Sequence, residues 1–300
     1  MPNTLAHIGV QTLITRGLFK QADLRFVLLG CIIPDLPWIL QRLVALLSMV
    51  DAYQLRSYAI AQAALFMCIP ACIGVAVLTQ QKAKTFVILL FGCVLHLLLD
   101  AMQTKWANGV HLFAPFDWSL LNFGWYWPES PITYILSALG PLMVIYYWRG
   151  LFLTPVPLHF AVKPVVLSIL FFLVYFVGPV LSMNAVWHAD NHYVATLAQP
   201  EKAGKYVEID RRPLRLDENG QATLRGIAGE DFKLDQHFEY PAKVSIKGQF
   251  KSDWVLQITQ VHYHQGALRD WFSYLGLLVV LMSFVVPFVY SFIAGKREQA

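Results

Sequence analysis

The 300 residues are 57% hydrophobic, 14% aromatic and only 14% charged, too apolar for an ordinary soluble domain, where charged residues run near a quarter. The formal charge of +4 does not suit a nucleic-acid-binding protein either. Residues 187–270, the most polar part, hold 11 Lys+Arg against 12 Asp+Glu, so the positive excess lies beside the apolar segments, where membrane topology explains it.

In chain order, the apolar pattern predicts membrane spans near residues 4–19, 26–49, 57–80, 85–104, 131–148, 164–186 and 271–293. Several contain uncharged runs longer than the roughly 18–20 residues that one helix needs to cross about 30 Å of hydrocarbon. The first is short and contains Arg16, so a helix lying in the interface is the alternative there. No basic cluster precedes it and no small-residue cleavage site follows, so it is expected to stay in the mature chain. Gly30 and Pro34 interrupt the second, and membrane helices break where they line a cavity. Cys31, Cys68, Cys72 and Cys93 all fall in apolar runs and read as small buried hydrophobes.

The stretch from Tyr193 to Gly266 has another texture. Lys205–Ile209, Ala222–Gly226, Ala242–Lys247 and Trp254–His262 alternate or are β-branched, and Asp217-Glu-Asn-Gly220 is a turn. Five or so short strands predict a small barrel or sandwich, with an OB-like barrel as one candidate. The fold class is therefore a mainly α-helical polytopic membrane protein of six or seven transmembrane helices. It divides into a membrane domain at 1–186, an extracytoplasmic β-rich domain at 187–270 and a last helix with its tail at 271–300. Lys82 and Lys84, Arg149 and Lys163, and Lys296 and Arg297 sit where cytoplasmic loops should, which turns the loops at 50–56, 105–130 and 187–270 outward. The inner membrane of a bacterium is the expected location.

Ionisable residues at membrane depth are costly and mark function. His96 and Asp100 are four apart, so they project from one helix face, where an imidazole and a carboxylate can grip one divalent metal. Asp35 follows the Pro34 break and His7 lies in the first span; at about 1.5 Å rise per residue all four fall at similar height. The bland readings are a helix–helix hydrogen bond for His96–Asp100, a half-helix cap for Asp35, an interfacial residue for His7 and an aromatic-belt residue for His111. His188 and His192 flank Asp190 at helical metal spacing, and His262 and His264 share a strand face that solvent exposure explains equally well. The aromatic run Phe123–Pro128 reads as an interfacial anchor.

His7, Gly30-Cys-Ile-Ile-Pro-Asp35, and His96-Leu-Leu-Leu-Asp100 followed by Gly109-Val-His-Leu-Phe-Ala-Pro115 resemble the YdjM-like membrane-bound metal-dependent hydrolases over residues 4–118. The resemblance implies His7, Asp35, His96 and Asp100 as ligands of a divalent metal, zinc or manganese. It also implies a metal-activated water, with Asp35 or His111 moving the proton. The chain departs from the family pattern at Pro37, where a second Asp belongs, and at Asp51–Ala59, which lacks the family's histidines; His111 and Asp117 are then the substitutes. A site opening to the outer leaflet points to a lipid or lipid-linked phosphoester. The alternative function is a non-catalytic membrane protein whose outer β-domain binds a protein or envelope partner. A transporter would show paired interrupted helices in two similar halves, and the sequence has none.

Overall fold

The computed structural model describes residues 3–47, 50–189 and 192–297, with side chains through residue 290. Asp190 and the last residues of the second expected span lie outside the described residues.

The helices are α1 (Thr4–Leu18), α2 (Leu24–Gly30), α3 (Leu36–Ala45), α4 (Ala52–Ala63), α5 (Leu65–Ala76), α6 (Lys82–Ala101), α7 (Pro131–Tyr146), α8 (Trp148–Phe152), α9 (Val162–His188), α10 (Val194–Ala198) and α11 (Leu268–Arg297). Among the described residues, four stretches are long and apolar enough to cross a bilayer: Leu24–Ala45, Lys82–Ala101, Val162–His188 and Leu268–Tyr290. The expected span at 57–80 is not one straight helix. Ala64 is extended, and α4 and α5 meet there at 67°. The second span breaks where Gly30 and Pro34 suggested, at a 3-10 turn over Ile33–Asp35. Helices α1 and α7, of 15 and 16 residues, fall short of the roughly 20 that a perpendicular crossing needs.

Glycines set how closely these helices approach. A Cβ on Gly140 would sit 2.4 Å from the Leu5 carbonyl oxygen, and one on Gly9 would sit 2.6 Å from Gly140 N, so α1 and α7 touch backbone to backbone. Gly30 and Gly92 do the same for α2 and α6: a Cβ on Gly30 would meet Leu89 O at 2.9 Å. Close approach of this kind is the usual means of packing helices that gain no hydrophobic drive from lipid.

The strands are β1 (Tyr206–Leu216), β2 (Ala222–Arg225), β3 (Asp231–Leu234), β4 (Ala242–Ser252) and β5 (Val255–His264). They close into a five-stranded barrel in the order β1-β2-β3-β5-β4, with β3–β5 the parallel pair. Closure removes the exposed edges that would otherwise invite aggregation. Inward residues alternate along each strand, and Val207, Ile209, Leu214, Leu224, Phe232, Val244, Ile246, Phe250 and Leu256 are almost fully buried. The ladder between β1 and β4 slips between Ile209 and Arg212, and Arg211 takes φ +52°, a bulge that re-aims the side chains beside it.

The barrel sits against one end of the bundle. Glu208 accepts from Ala107 N at 2.9 Å, Tyr53 hydroxyl donates to Leu197 O at 3.3 Å and also to Glu230, and the Trp127 and His262 rings stack at 3.5 Å. The connections at the other end meet each other instead. Arg25 donates to Thr154 O at 2.8 Å, and His159 N donates to Leu78 O at 2.6 Å.

Candidate metal centre

Three elements converge on the polar cluster inside the bundle. The Gly30–Gly92 crossing lays the end of α2 on α6 one turn before His96, which brings the next carbonyl, that of Cys31, to 2.6 Å from His96 Nδ1. A carbonyl only accepts, so Nδ1 carries the proton and Nε2 faces the carboxylates, Asp35 Oδ1 at 3.4 Å and Asp100 Oδ2 at 4.0 Å. This is how outer partners orient a metal-binding imidazole. Helix α1, held against α7 at Gly9, supplies His7, whose Nε2 lies 3.3 Å from Asp100 Oδ1 and whose ring stacks on His96 at 3.9 Å and 6°. His7 Nδ1 lies 3.5 Å from Gln11 Nε2, an amide donor, which puts the proton of a neutral His7 on Nε2; only the amide turned end for end would accept from Nδ1–H and free Nε2 for an ion.

The ligand atoms of His7, His96 and Asp100 all lie within 4.8 Å of one another. Asp35 joins from the far side of His96, and no side-chain hydrogen bond caps the helix that follows it. A tetrahedral ion with bonds of about 2.0–2.1 Å sets neighbouring donors roughly 3.3 Å apart, close to the spacing of His7–Asp100 and His96–Asp35. Among the described residues the buried atoms His7 Nε2, Asp35 Oδ1 and Asp100 Oδ1 make no well-aligned hydrogen bond, although His7 Nε2 faces Asp100 Oδ1 at 3.3 Å and Asp35 Oδ1 faces His96 Nε2 at 3.4 Å. Buried polar atoms are normally satisfied; a cation between His7, His96 and Asp100 would satisfy that set, and Asp35 stands outside the group of mutually close ligand atoms. Two imidazoles and a carboxylate are residue types that bind a divalent metal.

His111 lines the same small cavity as Asp35, His96 and Asp100, about 50 Å³ in volume, with Nδ1 bonded to Trp118 O at 2.8 Å. Asp117 does not reach it. It is exposed and holds Ser119. Lys105, expected only as a loop cation, is buried, and its Nζ is 3.0 Å from Asp100 Oδ2; that contact depends on the loop after α6 folding back, which no local pattern announces.

His262 and His264 are not a solvent-exposed pair. The His264 side chain is 2% exposed; its Nδ1 lies 2.9 Å from Glu129 Oε1 and its Nε2 lies 2.7 Å from Ser245 Oγ. Glu129, His262 and His264 form a second cluster of metal-binding residue types, but the Arg211 guanidinium is paired with Glu129 and takes the place a cation would hold. His188 and His192 join no such group among the described residues, and the His192 ring packs edge-on to Tyr206. Of the aromatic run, Trp125 is well exposed while Trp127 packs on Trp106 and His262. Compared with family models, curated proteins and solved structures, the chain finds no match.

Proposed function

We propose that this chain is a metal-dependent hydrolase whose reaction centre lies inside the membrane, with His7, His96, Asp100 and Asp35 holding the ion. The observation that carries this reading is the buried group of His7, His96 and Asp100, whose ligand atoms lie within 4.8 Å of one another, with Asp35 Oδ1 3.4 Å from His96 Nε2. The resemblance to YdjM-like hydrolases points the same way. Bound there, a divalent ion would acidify a water and polarise the bond to be cut. The Cys31 carbonyl keeps the His96 proton on Nδ1, and Asp35, at the cluster's edge and lining the cavity, is placed to take a proton from a water. His111, which lines the same cavity, is the second proton carrier. In the wider reading, α1 and α7 are short crossings that bring the spans to six or seven, the barrel is OB-like and extracytoplasmic, and the protein resides in a bacterial inner membrane.

A second reading is favoured by Lys105. Its ammonium already neutralises Asp100, so the cluster would be a structural polar knot and the barrel the working part, binding a protein or envelope partner. Metal analysis of the purified protein separates the two. Near-stoichiometric zinc or manganese is expected in the wild type, with loss in both His96→Ala and Asp100→Ala. Well-folded wild-type protein that takes up neither ion would sink the hydrolase reading.

A further inference from the structure

Beside the metal centre lies a second, larger chamber of about 480 Å³, the size of a small-ligand site. Trp38, Arg56, Asp100 and Gly109 line both it and the small cavity, so the two are continuous. Its walls carry seven Lys and Arg against three Asp. Lys105 is paired with Asp100, Lys243 and Arg269 with Asp270, and Arg211 with Glu129. Arg42, Arg56 and Arg212 are left, and none has a carboxylate oxygen within 4.0 Å among the described residues.

These three arginines come from α3, α4 and the β1 bulge. The Arg56 guanidinium lies 4.5 Å from the Trp38 ring and 5.8 Å from that of Tyr193, so aromatic faces support its plane while its N–H edge remains for an acceptor. Arg56 Nε and Arg212 Nε are buried with no hydrogen-bond partner. The remaining wall carboxylate, Asp210, accepts from Ser245 Oγ and Asn108 Nδ2, and its charge reaches Arg56, but it is one anion against three guanidiniums. Like charges around a cavity repel unless further negative charge lies among them, and a phosphate oxygen set is the acceptor that forked guanidinium donors fit. The chamber also communicates with a groove between α3 and α11 whose apolar side is Trp38, Ile39, Tyr274 and Leu277, beside the charged Asp35, Arg42, Arg269 and Asp270; Trp38, Arg42 and Tyr274 belong to both. Both helices belong to stretches apolar enough to cross a bilayer, so the groove offers an alkyl chain a place while its headgroup occupies the chamber.

We propose that the chamber binds the phosphate-bearing headgroup of a membrane amphiphile, held by Arg42, Arg56 and Arg212, with the barrel as one wall of the site. Turnover of that ligand rests on the hydrolase reading above; its binding needs only the arginines. The test uses full-length protein in detergent, stripped of metal with chelator, titrated with dioctanoyl phosphatidic acid, with dioctanoylglycerol and with inorganic pyrophosphate. Phosphatidic acid should bind and dioctanoylglycerol should not. Arg56→Gln and Arg212→Gln should each weaken binding about tenfold, roughly the 1.4 kcal/mol of one charge-assisted contact, while the exposed barrel residue Arg215, changed to Gln, leaves it unaltered. The ligand-free melting temperature reports whether each variant is folded, and Arg212→Gln, at a strand bulge, keeps the test available should Arg56→Gln misfold. Equal binding by both folded variants, or dioctanoylglycerol binding as tightly as phosphatidic acid, would overturn the proposal. Pyrophosphate binding as tightly as phosphatidic acid would overturn the amphiphile and leave a soluble phosphate site. Binding without hydrolysis by metal-loaded protein would remove the hydrolase reading and leave this one standing.

Discussion

His262 meets Trp127 face to face at 3.5 Å, with Nε2 3.8 Å from Glu129. Burial, and then the charge of His264, lower the His262 imidazole below its ordinary range, against the pull of Glu129. Burial works against ionising Glu129, but the His264 hydrogen bond and the Arg211 charge outweigh it and hold the carboxyl at about 2. The signs agree. A depressed imidazole favours the docked barrel above the unperturbed value of 6.5 and loses that contribution as pH falls. The depressed carboxylate contributes above 4.5 and loses its share as pH falls toward about 2. Amide protection factors in residues 102–130, with the intrinsic pH dependence of exchange divided out, should therefore fall from pH 7.5 to 5.5, and again below 4.5. Glu129→Gln should lower them at neutral pH, by an amount consistent with roughly 1.5–3 kcal/mol for a charge-assisted bond, and the difference should close as pH falls toward about 2; unchanged protection at neutral pH would contradict this docking contact. At this scale the sequence was partly legible. His96 and Asp100 announce themselves by spacing, because one helix face carries both. Glu129 and His264 are 135 residues apart, and nothing local links them.

Among the elements, α1 is fixed by close glycine contacts on two sides. It is short, and its position follows from Gly9 on Gly140 and from Gly276 of α11, where a Cβ would stand 2.6 Å from Thr4 Cβ. Gly140→Ala should lower stability by about 1–3 kcal/mol through overpacking, read as a drop in melting temperature in detergent. Because His7 lies on that helix, the variant should also hold metal less tightly than wild type; a wild-type melting point would mean that α1 and α7 do not touch at Gly140. The Pro34 break was visible beforehand because proline removes a donor and disfavours helix just before it. The Ala64 bend was not, since an apolar run has the same hydropathy straight or bent. β3 escaped notice because Asp231–Leu234 is only four residues, with Phe232 and Leu234 its only inward side chains. The continuation of β1 through Arg211, Arg212 and Pro213 was hidden by a bulge that breaks the alternation.

At the scale of the molecule, the connections sort into two ends. Tyr53, Ala107 and Glu129 meet the barrel, while Arg25, Leu78 and Thr154 gather at the other end. A topology reporter inserted after Gly220 should be active outside the cytoplasm, and one inserted after Leu153 inside it. Reporters active on the same side would break the two-ended arrangement, and reversed activities would invert the membrane orientation. The barrel is also spliced between two long helices rather than hung from one. Only residues 265–267 separate β5 from α11, and α11 presses Gly276 onto Thr4, one turn of α1 before His7. The three-residue link and the Gly276–Thr4 contact therefore make one unbroken path of packed backbone from the last barrel strand to the turn of α1 that precedes His7.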